Sequence, residues 1–198
     1  MNIQTKKPRG FTLTEVLLAT AITALIGSAV SAMVFAVSYG TSRQQDMRTL
    51  VTTKEMASVR LNNALRASQM VLAQGNGYLA LWTTDKNGDG NPNLSEVCRI
   101  ELDQAGAVLY SYQAKSNMSP AQDTSWPLGS TDFAAVTLAL EGNALFPRTA
   151  IAEGITSLQF TLTGTNCQNS RYVGYSATIP INGVTTTTVG GVALMNRK

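Results

Sequence analysis

The stretch that decides the reading is Lys6-Lys7-Pro8-Arg9-Gly10-Phe11-Thr12-Leu13-Thr14-Glu15-Val16-Leu17-Leu18-Ala19, and it runs straight into apolar sequence that continues to Tyr39. Three basic residues come first, then a glycine, an aromatic residue, one acid and a long uncharged block. Val16 to Tyr39 contains neither charge nor proline. As a helix it spans about 36 Å, enough to cross the roughly 30 Å of bilayer hydrocarbon. The cations lie ahead of it, and Arg43, Asp46 and Arg48 follow. The positive-inside tendency keeps the N-terminus cytoplasmic and exports the body. The block is rich in Ala, Thr, Ser and Val, so leaving the bilayer costs it less than it would a Leu-rich anchor. Ala24, Ser28 and Ala32 recur every fourth residue, a spacing that lets helices approach closely.

A secretory signal peptide has a similar outline, and Ala29-Val30-Ser31-Ala32 offers small residues for cleavage. Against that reading, the apolar run continues past Ala32, and Glu15 stands where an ordinary signal gains nothing from an acid. A carboxylate within the bilayer core costs at least about 2.5 kcal/mol unless paired or neutralised. Glu15 therefore either reaches back to the headgroups at the membrane edge or pairs with a cation on another subunit.

The stretch resembles the cleavage and methylation motif of type IV prepilins. In that family a prepilin peptidase cuts after the glycine, here Gly10, and methylates the new N-terminal residue, here Phe11. The glutamate, here Glu15, pairs with the N-terminal amine of a neighbour during assembly. The resemblance implies a leader over residues 1–10, a long helix over 11–70 with its membrane segment at about 16–39, and an exported head over 71–198. It implies as partners other pilin or pseudopilin subunits, the prepilin peptidase/N-methyltransferase, an inner-membrane assembly platform and membrane lipid. The expected location is the bacterial inner membrane, crossed once, with the head periplasmic and later in a filament. Two further stretches, Ile151-Ala152-Glu153-Gly154-Ile155-Thr156-Ser157-Leu158-Gln159-Phe160 and Thr185–Val189 with Val192–Arg197, resemble late strands of minor pilins of the W type and pseudopilins of the J type. That points to a minor component, of a pilus or of a type II secretion pseudopilus.

The remainder predicts an α+β fold, one long helix packed on an antiparallel sheet. No proline occurs between Pro8 and Pro92, so a helix can run from about Phe11 to about Ser68. Its second half is amphipathic, with Met47, Leu50, Val51, Ala57, Leu61, Ala64 and Leu65 at helical spacing. Strands are expected at Val71–Ala73, Tyr78–Thr83, Val97–Leu102, Ala107–Tyr112, Ala135–Leu140, Ile155–Leu162, Tyr172–Ile181 and Thr185–Ala193, with a turn at Asp103–Gly106 and a polar loop over Ala114–Asp132.

Asp85-Lys86-Asn87-Gly88-Asp89-Gly90-Asn91-Pro92-Asn93-Leu94-Ser95-Glu96 fits the calcium-loop pattern D-x-[DN]-x-[DN]-G-x5-E. Calcium takes six to eight oxygens, which alternating carboxylates and amides can supply around a glycine turn. Asp85, Asn87 and Asp89 would donate side-chain oxygens, Asn91 its carbonyl, Asn93 an oxygen through water, and Glu96 two oxygens. The flanks read as strands, so this would be a Ca2+ loop on a β-hairpin; a plain polar turn uses the same residues.

Cys98 and Cys167 form no CxxC motif, and in an exported head they are candidates for a disulfide. It would close a loop of about 70 residues, worth roughly 4 kcal/mol in the chain-entropy view. The absence of histidine removes His-based catalysis and His-ligated zinc. The net charge of +3 belongs to Lys6, Lys7 and Arg9; without those three cations 12 basic residues face 12 acids. A neutral body lacks the basic face that direct nucleic-acid binding needs. Nothing marks an enzyme. A membrane-anchored calcium module that never assembles would explain the anchor and the loop, but not Gly10, Phe11 and Glu15 together.

Overall fold

The computed structural model describes residues 10–115, 118–164, 166–181 and 184–194. It resolves the chain into two compact units, one reaching to Met47 and one running from Arg48 onward. A single helix, α1 (Leu13–Arg66), contributes to both.

In the first unit every residue from Gly10 to Gln45 is exposed, including Leu17, Ile22, Leu25, Val30, Val34 and Phe35. The hydroxyls in this apolar run are not left bare. Thr20 donates to the carbonyl of Leu17 at 2.9 Å, Thr23 to Ala19 at 2.7 Å, Ser28 to Leu25 at 2.8 Å and Ser31 to Gly27 at 2.8 Å. These four side chains are satisfied within their own helix, which is what an apolar solvent requires.

The second unit is α+β. From Arg48 on, α1 buries Leu50, Ala57, Leu61 and Leu65. The stripe is narrower than the periodicity predicts, because Met47 and Val51 remain about half exposed. The strands follow as β1 (Met70–Gly75), β2 (Tyr78–Trp82), β3 (Val97–Asp103), β4 (Val108–Gln113), β5 (Arg148–Glu153), β6 (Ser157–Leu162), β7 (Tyr172–Ile181) and β8 (Val184–Ala193). The first five form an antiparallel sheet in chain order, and the last three form a second antiparallel sheet.

Two departures from the sequence reading have physical causes. Ala135–Leu140 is not a strand but belongs to a short helix, α2 (Phe133–Ala139). Asp132 caps it, its carboxylate accepting from the N–H groups of Ala134 and Ala135 at 3.0 and 3.2 Å. β5 was not among the expected strands. It is an edge strand, mostly exposed, and lacks the alternation that announces a half-buried strand.

Register divides the larger sheet into two faces. Leu79, Leu81, Ile100 and Leu109 turn to the α1 side and join Leu61, Leu65 and the second sheet in one core. Ala80, Trp82, Val97 and Tyr112 turn the other way, onto Phe133 of α2 and Phe146. That outer face also carries Arg99, which is 2% exposed. It is held by Glu101 at 2.7 and 2.9 Å and by Thr137 at 3.0 Å, and lies over the Tyr78 ring at 4.2 Å. A buried guanidinium is tolerated because its donors are matched.

The second sheet alternates cleanly. Val173, Tyr175, Ala177 and Ile179 of β7 are all buried at a spacing of two. Tyr175 is the tie to α1: its hydroxyl donates to Asn62 Oδ1 at 3.2 Å and lies 2.8 Å from Ser58 Oγ. Its ring crosses β8 at Gly190, its register partner, where any Cβ would collide with it. Gly190→Ala therefore displaces Tyr175 and lowers stability by about 1–3 kcal/mol. Urea unfolding should show this as a lower midpoint, while Val189→Ala at the exposed neighbouring position leaves the midpoint in place.

Candidate functional site

Gly10 and Phe11 precede the first turn of α1. Gly10 has open space where a Cβ would stand, and Phe11 is 86% exposed. The peptide bond between them is thus unobstructed in the first unit. The basic leader residues Lys6, Lys7 and Arg9, and residues 195–197 of the late resemblance, lie outside the described residues.

Glu15 has a local role that its sequence position did not suggest. The N–H and hydroxyl of Thr12 both donate to Glu15 Oε2 at 2.9 Å, and the N–H of Glu15 donates back to Thr12 Oγ at 3.3 Å. This is a reciprocal capping box, in which a Thr before the helix and a Glu three residues on satisfy each other's main-chain donors. The pattern Thr-x-x-Glu ahead of an apolar run was the available signal. The acid also sits at the positive end of the helix dipole. These bonds engage Oε2, and the side chain as a whole is exposed.

The acidic loop is built largely as its spacing suggests at its start and differently at its end. Asp85 accepts from the N–H groups of Gly88 at 2.7 Å and Gly90 at 3.1 Å. Asn87 Oδ1 accepts from Asp89 N at 3.1 Å, and Asp89 Oδ1 from Asn91 N at 2.7 Å. Gly88 and Gly90 adopt φ of 72° and 73°, a region that favours glycine. Glu96, expected to close a calcium site with both oxygens, is instead buried. It accepts from Lys86 N at 2.5 Å, from Trp82 Nε1 at 3.1 Å and from Asn93 N at 3.2 Å. Its carboxylate staples the two ends of the loop. Among the described residues no three carboxylates, thiols or imidazoles gather around one point.

The two cysteines are unbonded. Cys98 is buried on β3, with its sulfur 3.4 Å from Ser111 Oγ, and burial pushes its thiol pKa up. Cys167 sits on a short 3₁₀ turn that packs against β1. β2 lies between β1 and β3. Both cysteines border the same apolar core.

Against known families, the model described as the prokaryotic N-terminal methylation motif matches residues 5–37. No curated protein matches the chain. The chain thus carries a prepilin-type methylation motif, and this is consistent with a type IV pilin-like protein. Its α1 is long and apolar enough to cross a membrane. The motif and the helix together are consistent with anchoring in the inner membrane. The motif implies processing by a prepilin peptidase and assembly with other pilin subunits.

Native alkylation should label Cys167 and spare Cys98, since reactivity needs an accessible thiolate. Denatured, unreduced protein should then take up two labels, read by intact mass. A mass lower by the two hydrogens of a disulfide, with no label, would contradict the unbonded arrangement.

Proposed function

We propose that this chain is a minor type IV pilin-like subunit, cut between Gly10 and Phe11, N-methylated on Phe11 and built into or at the tip of a pilus. The observation that carries the reading is the coincidence of the methylation motif with a helix whose apolar surface is exposed as far as Tyr39. Such a helix needs lipid before assembly and other helices after it. The small-residue rows of α1 support close helix approach. Glu15 then serves twice: Oε2 caps its own helix, and the remaining charge meets the methylated amine of a neighbouring subunit. A type II secretion pseudopilin of the J type draws on the same features, and the late-strand resemblance at residues 151–160 suits both.

Glutamate-to-glutamine separates the two tasks of Glu15. A Gln side chain can still close a capping box, but it cannot pair with an ammonium as a charge. Glu15→Gln should be processed normally and fail to enter sheared filaments. Full incorporation of Glu15→Gln would reduce Glu15 to a helix cap and remove the assembly role. Co-expression with pilus or with secretion machinery then decides which filament takes up the wild-type chain.

A further inference from the structure

The uncharged run of α1 is longer than a bilayer needs. Residues 16–39 measure about 36 Å as a helix against about 30 Å of hydrocarbon, an excess of about four residues. Hydrophobicity alone therefore leaves the depth of the helix open, and residues at the border set it. Phe35, Tyr39 and Arg43 follow one another at a spacing of four, so they stand on one face of α1. The Phe35 and Tyr39 rings lie 5.5 Å apart, and the Arg43 guanidinium lies over the Tyr39 ring at 5.6 Å. All three side chains are exposed. Among the described residues no acid pairs with Arg43. Stacking uses the face of the guanidinium and leaves the N–H donors on its edge for an acceptor.

We propose that Phe35, Tyr39 and Arg43 form an anchor that binds the headgroup of an anionic phospholipid and fixes how deep α1 sits. The proposal rests on the reading that α1 crosses the membrane. Order along the chain and charge together select the partner. Phe35 lies within the uncharged run, Tyr39 ends it, and Arg43 is the first charge beyond it. A ring with a polar tip suits the headgroup level, and the arginine fork matches phosphate oxygens. Arg43 and Arg48 outnumber Asp46, so the segment is positive, the sign that an anionic headgroup attracts. The proposed cut after Gly10 removes Lys6, Lys7 and Arg9, and Arg43 is then the basic side chain nearest the span. The subunit thus keeps a depth marker at this end of the span through processing.

The test places a nitroxide at Ser38→Cys in the full chain carrying Cys167→Ser, with Cys98 buried and spared. The protein is reconstituted in vesicles of phosphatidylethanolamine and phosphatidylglycerol. Collisions of the label with oxygen and with a water-soluble nickel complex, read by electron paramagnetic resonance, give its depth. The label should sit at the hydrocarbon border, and Tyr39→Leu with Arg43→Gln should sink it by about 5 Å, one helical turn. With Tyr39 and Arg43 intact, it should also sit deeper in phosphatidylcholine vesicles than in those with phosphatidylglycerol. An unmoved label in the double variant would overturn the anchor. Equal depth in the two lipids would overturn its assignment to an anionic headgroup. So would a shift lost on diluting the protein in lipid, which assigns Arg43 to an acid of a neighbouring subunit. A nitroxide at Ser28→Cys, near the middle of the run, tests the spanning itself. A shallow label there contradicts the membrane reading; a deep one beside an unmoved Ser38 label contradicts the anchor alone.

Discussion

The rest of the molecule is organised around one unmet demand, an apolar helical surface with nothing covering it. From Leu13 to Tyr39 the large side chains of α1 stand open, Met33 at 71% and Phe35 at 68% exposure, as does Phe11 just ahead of it. Covering a single such side chain contributes about 1.5–3 kcal/mol, so the segment as a whole is strongly driven into lipid or against other helices. The helix is prepared for that transfer. The hydroxyls of Thr20, Thr23, Ser28 and Ser31 return to the carbonyls one turn back, and its first turn is closed by Thr12 and Glu15. A helix end without its cap would carry unsatisfied N–H groups toward the membrane. The capping box and the methylation motif overlap in the same few residues, so the chemistry of processing and the physics of helix initiation act on one short segment.

The second unit solves a different problem, burial in water. Its larger sheet uses both faces, one against α1 and one against α2 and Phe146. The outer face also holds Arg99, whose buried guanidinium bonds Glu101 and Thr137. The second sheet closes the α1 side, with Tyr175 bonded to two helix residues and Gly190 giving its ring room. Helix residues after Arg48 are therefore bound into the core of this unit, while those before it keep their apolar surface free.

How much could be read in advance follows from the range of the interactions involved. The long helix was legible because no proline interrupts it and its two halves carry different patterns. β7 was legible because burial alternates strictly from Val173 to Ile179. α2 was missed because Val136 and Leu138 look strand-like, and the deciding contact is the cap from Asp132, just upstream of the apolar run. β5 was missed because its existence rests on pairing with β4, far away in the chain, and not on its own exposed residues. At the N-terminus the methylation motif was legible as a pattern, while the cap that Glu15 forms with Thr12 went unread. In the acidic loop, turn residues were legible from composition, while the hydrogen bonds among them were not. The burial of Glu96 was not, since it depends on Trp82, a residue of the neighbouring strand.

The central claim is that the exposed helix begins at a processed Phe11. Its most direct test is the mass of the N-terminal peptide after co-expression of the full chain with an active prepilin peptidase. A peptide that starts at Phe11 and carries one added methyl group is the predicted result. An intact leader, with a control substrate cut in the same cells, or a start near Ala32 would contradict it.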